Sequence, residues 1–61
     1  MTRKERDKMV DTIGEVLGQN GIIISMLNIN PLCKEVEAAI NSGQDVWAAA
    51  RAIAPKYHEK V

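Results

Sequence analysis

Apolar and polar positions alternate along this chain with a helical rather than a strand-like period. Met9, Val10, Ile13, Val16 and Leu17 fall one, three, three and one apart, which gathers them on a single stripe of a helix. The opposite face carries Arg3, Lys4, Arg6, Asp7, Lys8, Asp11 and Glu15. Ahead of it, Thr2-Arg3-Lys4-Glu5 has the spacing of a capping box, in which the Thr hydroxyl accepts from the Glu5 N–H and the carboxylate reaches back. A helix is therefore predicted over 2–18. Gly14 interrupts it at a cost of about 1 kcal/mol relative to Ala. With Gly18 it forms either a small-residue notch for another helix or part of a stop, Gly18-Gln19-Asn20-Gly21, with a left-handed Gly or Asn.

The densest apolar run follows, Ile22-Ile23-Ile24-Ser25-Met26-Leu27-Asn28-Ile29, closed by Asn30-Pro31. Its Ile content and its Gly and Pro borders suit a strand. No second strand-like stretch exists, however, so a strand here could pair only with its copy in another subunit, because unpaired buried backbone groups are too costly. A short buried helix over 22–29 is the preferred expectation. Asn30 then caps a helix over 31–42 with Pro31 at its first position, and Leu32, Val36, Ala39 and Ile40 form its stripe. Ser42-Gly43 ends it, and Asp45 caps a last helix over 45–54. Five alanines give that helix high propensity, with Val46, Ala49, Ala50, Ile53 and Tyr57 on one side. Pro55 stops it, leaving 55–61 as a tail.

Composition narrows the picture. Sixty-one residues hold one domain, 1–61, near the lower limit for an independent core. Chains of this size lean on a disulfide, a metal or a partner subunit. Cys33 is the only cysteine, which removes an intrachain disulfide and any cysteine–histidine zinc set. Association, or very efficient helix packing, is left to supply stability, and self-association is the expectation. The expectation is an all-α bundle of three to four short helices, completed by homo-oligomerisation as a dimer. The alternative is a ribbon-helix-helix-like dimer with 22–29 as an intermolecular strand. A lone thiol and no visible export signal point to the reducing cytoplasm. No apolar run approaches the length of about 20 residues needed to span a membrane.

Catalysis has no support, and no cofactor or metal is expected. General acid–base or nucleophilic work needs partners converging in a concave site. Here the one histidine, His58, stands in the tail and is expected to be exposed, while the carboxylates fall on polar faces. Cys33, at a helix start but with no His or second Cys nearby in sequence, reads as a packing residue.

The order of segments after Gly21 resembles that of ribbon-helix-helix repressors, and Ala39 to Gly43 before an apolar helix resembles the turn of a helix-turn-helix. Neither strand face, Ile22/Ile24/Met26/Asn28 or Ile23/Ser25/Leu27/Ile29, offers Lys, Arg or Gln to base edges. Helix 46–54 has Arg51 alone. Formal charge is zero, with eight basic and eight acidic residues, where a nucleic-acid binder shows a basic excess.

The expected function is that of a non-enzymatic protein-binding module, a regulator, adaptor or inhibitor. Its candidate interface comprises Ile22, Ile24, Met26, Trp47, Ala50 and Arg51. Trp47 serves either as the interface anchor, since Trp and Arg dominate binding hot spots, or as a core residue under the first helix. The alternative is a DNA-binding dimer with Arg3, Lys4, Arg6 and Lys8 on phosphates. Clustering of those positions with Arg51 and Lys56 on one face would favour it.

Overall fold

The capping box at Thr2 forms, and with it the first helix. In the computed structural model, which describes residues 2–59, Glu5 N–H donates to Thr2 Oγ1 at 3.2 Å and Thr2 N–H to the Glu5 carboxylate at 3.3 Å. Helix α1 then runs Arg3–Asn20. Gly21 stops it in the left-handed region at φ 63°, and Ile22 N–H returns to the Leu17 carbonyl at 2.9 Å. That is a Schellman closure, with Gly21 as the residue that tolerates positive φ. The notch reading of Gly14 and Gly18 finds no occupant, since a Cβ at either would meet nothing within 4 Å.

The apolar run behaves differently from the expectation of a separate helix over 22–29. Ile22–Ile24 is extended, and Ser25 is the cap, its hydroxyl accepting from Leu27 N–H at 3.2 Å. Helix α2 starts at Met26 and continues through Pro31 to Asn41. Asn30-Pro31 is therefore not a helix start. Two causes explain the correction. A Ser hydroxyl caps as well as an Asn amide and stands where the β-branched Ile run ends. Pro31 sits on the exposed side of α2, one turn after the exposed Leu27, so the hydrogen bond that its missing N–H costs is lost away from the core. No strand forms among the described residues, so the intermolecular ribbon does not arise either.

Helix α3, Val46–Ile53, opens on Asp45, whose Oδ2 accepts from Trp47 and Ala48 N–H at 3.1 and 3.2 Å. Gly43 at φ 99° makes the turn before it. A 3-10 turn, Ala54–Tyr57, replaces helix where Pro55 cannot donate. The expected tail is thus ordered as far as 59, and Lys60 and Val61 lie outside the described residues.

The core is aliphatic and small: Met9, Ile13 and Val16 from α1, Leu32 and Val36 from α2, Ala49 and Ala50 from α3, and Ala54 from the 3-10 turn. Helix α3 packs against both α1 and α2, whereas those two scarcely touch each other. The α1 stripe is rotated from expectation. Val10 is 48% exposed and Thr12 is buried instead, its hydroxyl donating to the Lys8 carbonyl at 2.9 Å. At 100° per residue, Val10 stands well off the line of Met9, Ile13 and Val16, while Thr12 lies nearer to it. A hydroxyl satisfied within its own helix is buried at little cost.

Two outcomes test this architecture. Ala50→Leu inserts three carbons between helices in contact and should cost about 1–3 kcal/mol, whereas the exposed Ala48→Leu should stay within about 0.5 kcal/mol. Differential scanning calorimetry separates them, at roughly 4–8 °C per kcal/mol for a chain of this size. Equal melting temperatures for the two variants would contradict the central placing of α3. Gly14→Ala, with open space around the new methyl, should raise stability by about 1 kcal/mol. A loss of stability would mean that something unseen here approaches that position.

Candidate functional site

The surface most at odds with water lies at the start of α2. Met26 and Leu27 are 86% and 87% exposed, and Ile23 and Ile29 are 56% and 44% exposed. They are exposed for a geometric reason. Helix α2 reaches the core at Leu32 and Val36, and its first turn and a half extend beyond that contact. No charged residue occurs between Gly21 and Cys33, so the surface is uncharged as well as apolar.

The residues expected at an interface divide between inside and outside. Met26 faces solvent. Ile22 and Ile24 are half-buried and pack on the core, on the inward side of the extended segment. Trp47 is half-buried against the core too, with the Arg51 guanidinium 5.6 Å from its ring centroid. Ala50 is the correction, for it is fully buried beneath α1 and α2 and presents nothing to a partner. Leu27, Ile23 and Ile29 were not singled out. Their contiguity with Met26 was visible, but only the late entry of α2 into the core turns them outward.

Arg3, Lys4, Arg6 and Lys8 are all exposed on the first turns of α1, interleaved with Glu5 and Asp7. Lys8 borders a shallow cavity of about 190 Å³ with Glu5, Met9, Ile40 and Val46, which places this end of α1 beside the end of α2. Arg51 borders a second cavity with Asn20 and Gly21, at the other end of α1. The twelve residues from Lys8 to Asn20 span roughly 18 Å of helix, so Arg51 does not join the N-terminal cations. Lys56 is engaged elsewhere.

Its partner is Glu35 of α2, at 3.0 Å, and the same carboxylate accepts from the Tyr57 hydroxyl. The Tyr57 hydrogen bond, then Lys56, holds Glu35 below its ordinary value of 4.5. Glu35 in turn raises Lys56 and Tyr57 above theirs, through hydrogen bonding first. The three groups fasten the 3-10 turn to α2. A second fastening was not foreseen: His58 is exposed, yet its Nδ1 accepts from Ile23 N–H at 3.1 Å, and Glu59 N–H donates to the Ile23 carbonyl at 2.7 Å. The tail therefore satisfies the backbone of the extended segment in place of a partner strand.

Among the described residues, no group of three or more His, Cys, Asp or Glu side chains is placed to hold a metal ion. None of the described helices is long and apolar enough to cross a membrane. Comparison with protein-family models, with curated proteins and with solved structures finds no match for the chain.

The Glu35–Lys56–Tyr57 cluster sets a pH signature. The folded Glu35 value lies below the unfolded one, so its contribution is present above about pH 4.5 and lost as pH falls through the folded value. Tyr57 and Lys56 have raised folded values, so theirs is present below the ordinary 10.0 and 10.5 and lost as pH rises through the folded values. The melting-temperature gap between wild type and Glu35→Gln should be widest between these limits and narrow at both extremes. A gap of constant size from acid to alkali would contradict the assignment.

Proposed function

We propose that this chain is a non-enzymatic protein-interaction module, a regulator, adaptor or inhibitor, that docks through the apolar start of α2. The carrying observation is the adjacent pair Met26 and Leu27, each more than four-fifths exposed, with Ile23 and Ile29 beside them in the chain. Isolated exposed apolar residues are ordinary, but a run of them on one segment marks an interaction surface. The occupant favoured is a second copy. An uncharged surface meets itself across a two-fold axis without like-charge repulsion, and a two-fold contact uses the same patch on both subunits. Asn28 and Asn30 supply hydrogen-bonding groups at its rim.

The magnitudes fit a modest affinity. Burying a Met or Leu side chain fully is worth about 1.5–3 kcal/mol. Counting Ile23 and Ile29 at half weight, two copies gain roughly 12 kcal/mol gross, against an association cost of about 4–15 kcal/mol. With a cost at the low end, about 8 kcal/mol remains, the equivalent of micromolar self-association, and a cost only a few kcal/mol larger makes it millimolar; the dimer would then present its remaining faces to a regulated protein. The half-buried lone thiol of Cys33 suits the reducing cytoplasm.

Sedimentation equilibrium from low micromolar to submillimolar concentration is the test. The Met26→Ser/Leu27→Ser variant should remain helical by circular dichroism and lose self-association by roughly 30-fold or more, the equivalent of 2 kcal/mol. Replacing Arg3, Lys4, Arg6 and Lys8 by Gln should leave the dimer intact. A wild-type mass that stays monomeric across the range would defeat the reading. So would loss of function in the charge variant with binding to DNA that falls steeply with salt, by about 0.9 log units per phosphate contact for each log unit of salt.

A further inference from the structure

The cavity at the far end of α1 brings a guanidinium and an imidazole together beside apolar walls. It measures about 420 Å³, within the lower part of the range of small-molecule sites, and is lined by Asn20, Gly21, Ile22, Arg51, Pro55 and His58. No carboxylate is among those residues. Arg51 makes no ion pair among the described residues, and its guanidinium rests on the Trp47 ring, which limits the side-chain freedom lost when it binds something. His58 is oriented by a different element. Because its Nδ1 accepts from Ile23 N–H, the neutral ring carries its proton on Nε2, as a free donor. Ile22 and Pro55 give the cavity apolar walls.

We infer that this cavity binds a carboxylate carried on a short apolar body, held by the Arg51 guanidinium and the His58 Nε2–H. Charge decides between a carboxylate and a phosphate. Arg51 brings one positive charge, and His58, with Nδ1 occupied as an acceptor, brings a hydrogen-bond donor, which matches a monoanion. The carbonyl end of α1 lies alongside, with a partial charge of about −0.5, which opposes any anion there and a dianion about twice as strongly as a monoanion. The N–H groups of Gly21 and Ile22 are already spent on the Leu17 carbonyl, so no backbone nest is left to offset that field. The apolar walls select for an alkyl group next to the carboxylate. Asn20 donates its amide to the Val16 carbonyl at 2.8 Å, leaving Oδ1 as an acceptor. A chain-terminal residue of a peptide could use that acceptor through its own N–H. A free alkyl acid could not, and the two sources are thereby distinguishable.

The experiment is an amide-detected NMR titration of the full chain with 4-methylpentanoate, its primary amide, inorganic phosphate, and a tripeptide ending in a free leucine carboxylate. Saturable shifts at Gly21, Ile22 and His58, with a dissociation constant of about 1 mM, are expected for the acid. The amide and phosphate should bind at least roughly tenfold more weakly, as a lost charge-assisted bond implies. Arg51→Gln should weaken the acid by roughly tenfold or more, with Arg51→Lys partly restoring it. His58→Ala, which removes the Nε2–H donor, should weaken the acid by roughly fivefold or more. All variants alter exposed side chains and are checked for helicity first. A tripeptide tighter than the free acid assigns the site to chain termini, and equal affinity assigns it to small acids. Absence of saturable shifts, equal binding of the amide or phosphate, or an unaffected Arg51→Gln variant would each overturn the inference.

Discussion

Close approach at the short alanine helix is what the rest of the molecule depends on. Ala49, Ala50 and Ala54 are fully buried, and α3 with its 3-10 extension is the element against which both α1 and α2 rest. A methyl side chain lets helix axes come near without interdigitating bulk, so eight residues can hold two longer helices that barely meet. The arrangement gains little apolar area per residue, and a chain of 61 residues has little to spare. It compensates with local devices. Each α-helix has a side-chain N-cap, from Thr2, Ser25 and Asp45, and each such cap contributes on the order of 1 kcal/mol. Polar ties fasten the terminal turn to the body at Glu35 and Ile23.

The same geometry leaves the start of α2 uncovered. A helix of eight residues is only about 12 Å long, shorter than either neighbour, so it covers only a part of each. Core contact on α2 is confined to the stretch around Leu32 and Val36, and the turns before it project beyond. The exposed apolar residues thus follow from the mismatch between a short central helix and two longer outer ones. The sequence could have placed polar residues there at no cost to the core. It places Met26 and Leu27 instead, and the proposed self-association rests on that choice.

Much of the helical layout was legible because it rests on local signals. The Thr2 box, the Gly21 stop, the Ser42-Gly43 end, the Asp45 cap and the Pro55 stop each act within one turn, and each appears where the residues place it. The segment 22–31 was misread where two local signals competed. Asn30-Pro31 and Ser25 are both valid helix starts, and the choice between them rests on where α2 enters the core, which periodicity alone does not reveal. Thr12 and Val10 exchanged places for a related reason: a stripe wide enough to include Val10 leaves its centre undetermined by a full residue. For the candidate surface, Met26 was identifiable and Leu27 was not, while Ala50 was assigned outward because small apolar residues give no sign of which neighbour they touch. His58 is exposed as its place in the tail implies, but its hydrogen bond was not legible because it depends on a backbone N–H thirty-five positions away.

Ile23 links the parts that look separate. Its side chain is more than half exposed beside Met26, while its N–H and carbonyl are held by His58 and Glu59. Its neighbours Ile22 and Ile24 face inward onto the core, and Ile22 also walls the cavity that Arg51 and His58 share. An extended segment in which successive side chains point to opposite sides does this naturally, since its period of two sends alternate residues to core and solvent. The apolar surface and the cavity are therefore joined by the same five-residue connector between α1 and α2. Only two hydrogen bonds from the tail fix that connector's backbone at Ile23. A backbone shift at Ile22–Ile23 would displace the Ile22 side chain that walls the cavity and the Ile23 side chain beside Met26 together, because one planar peptide bond joins them.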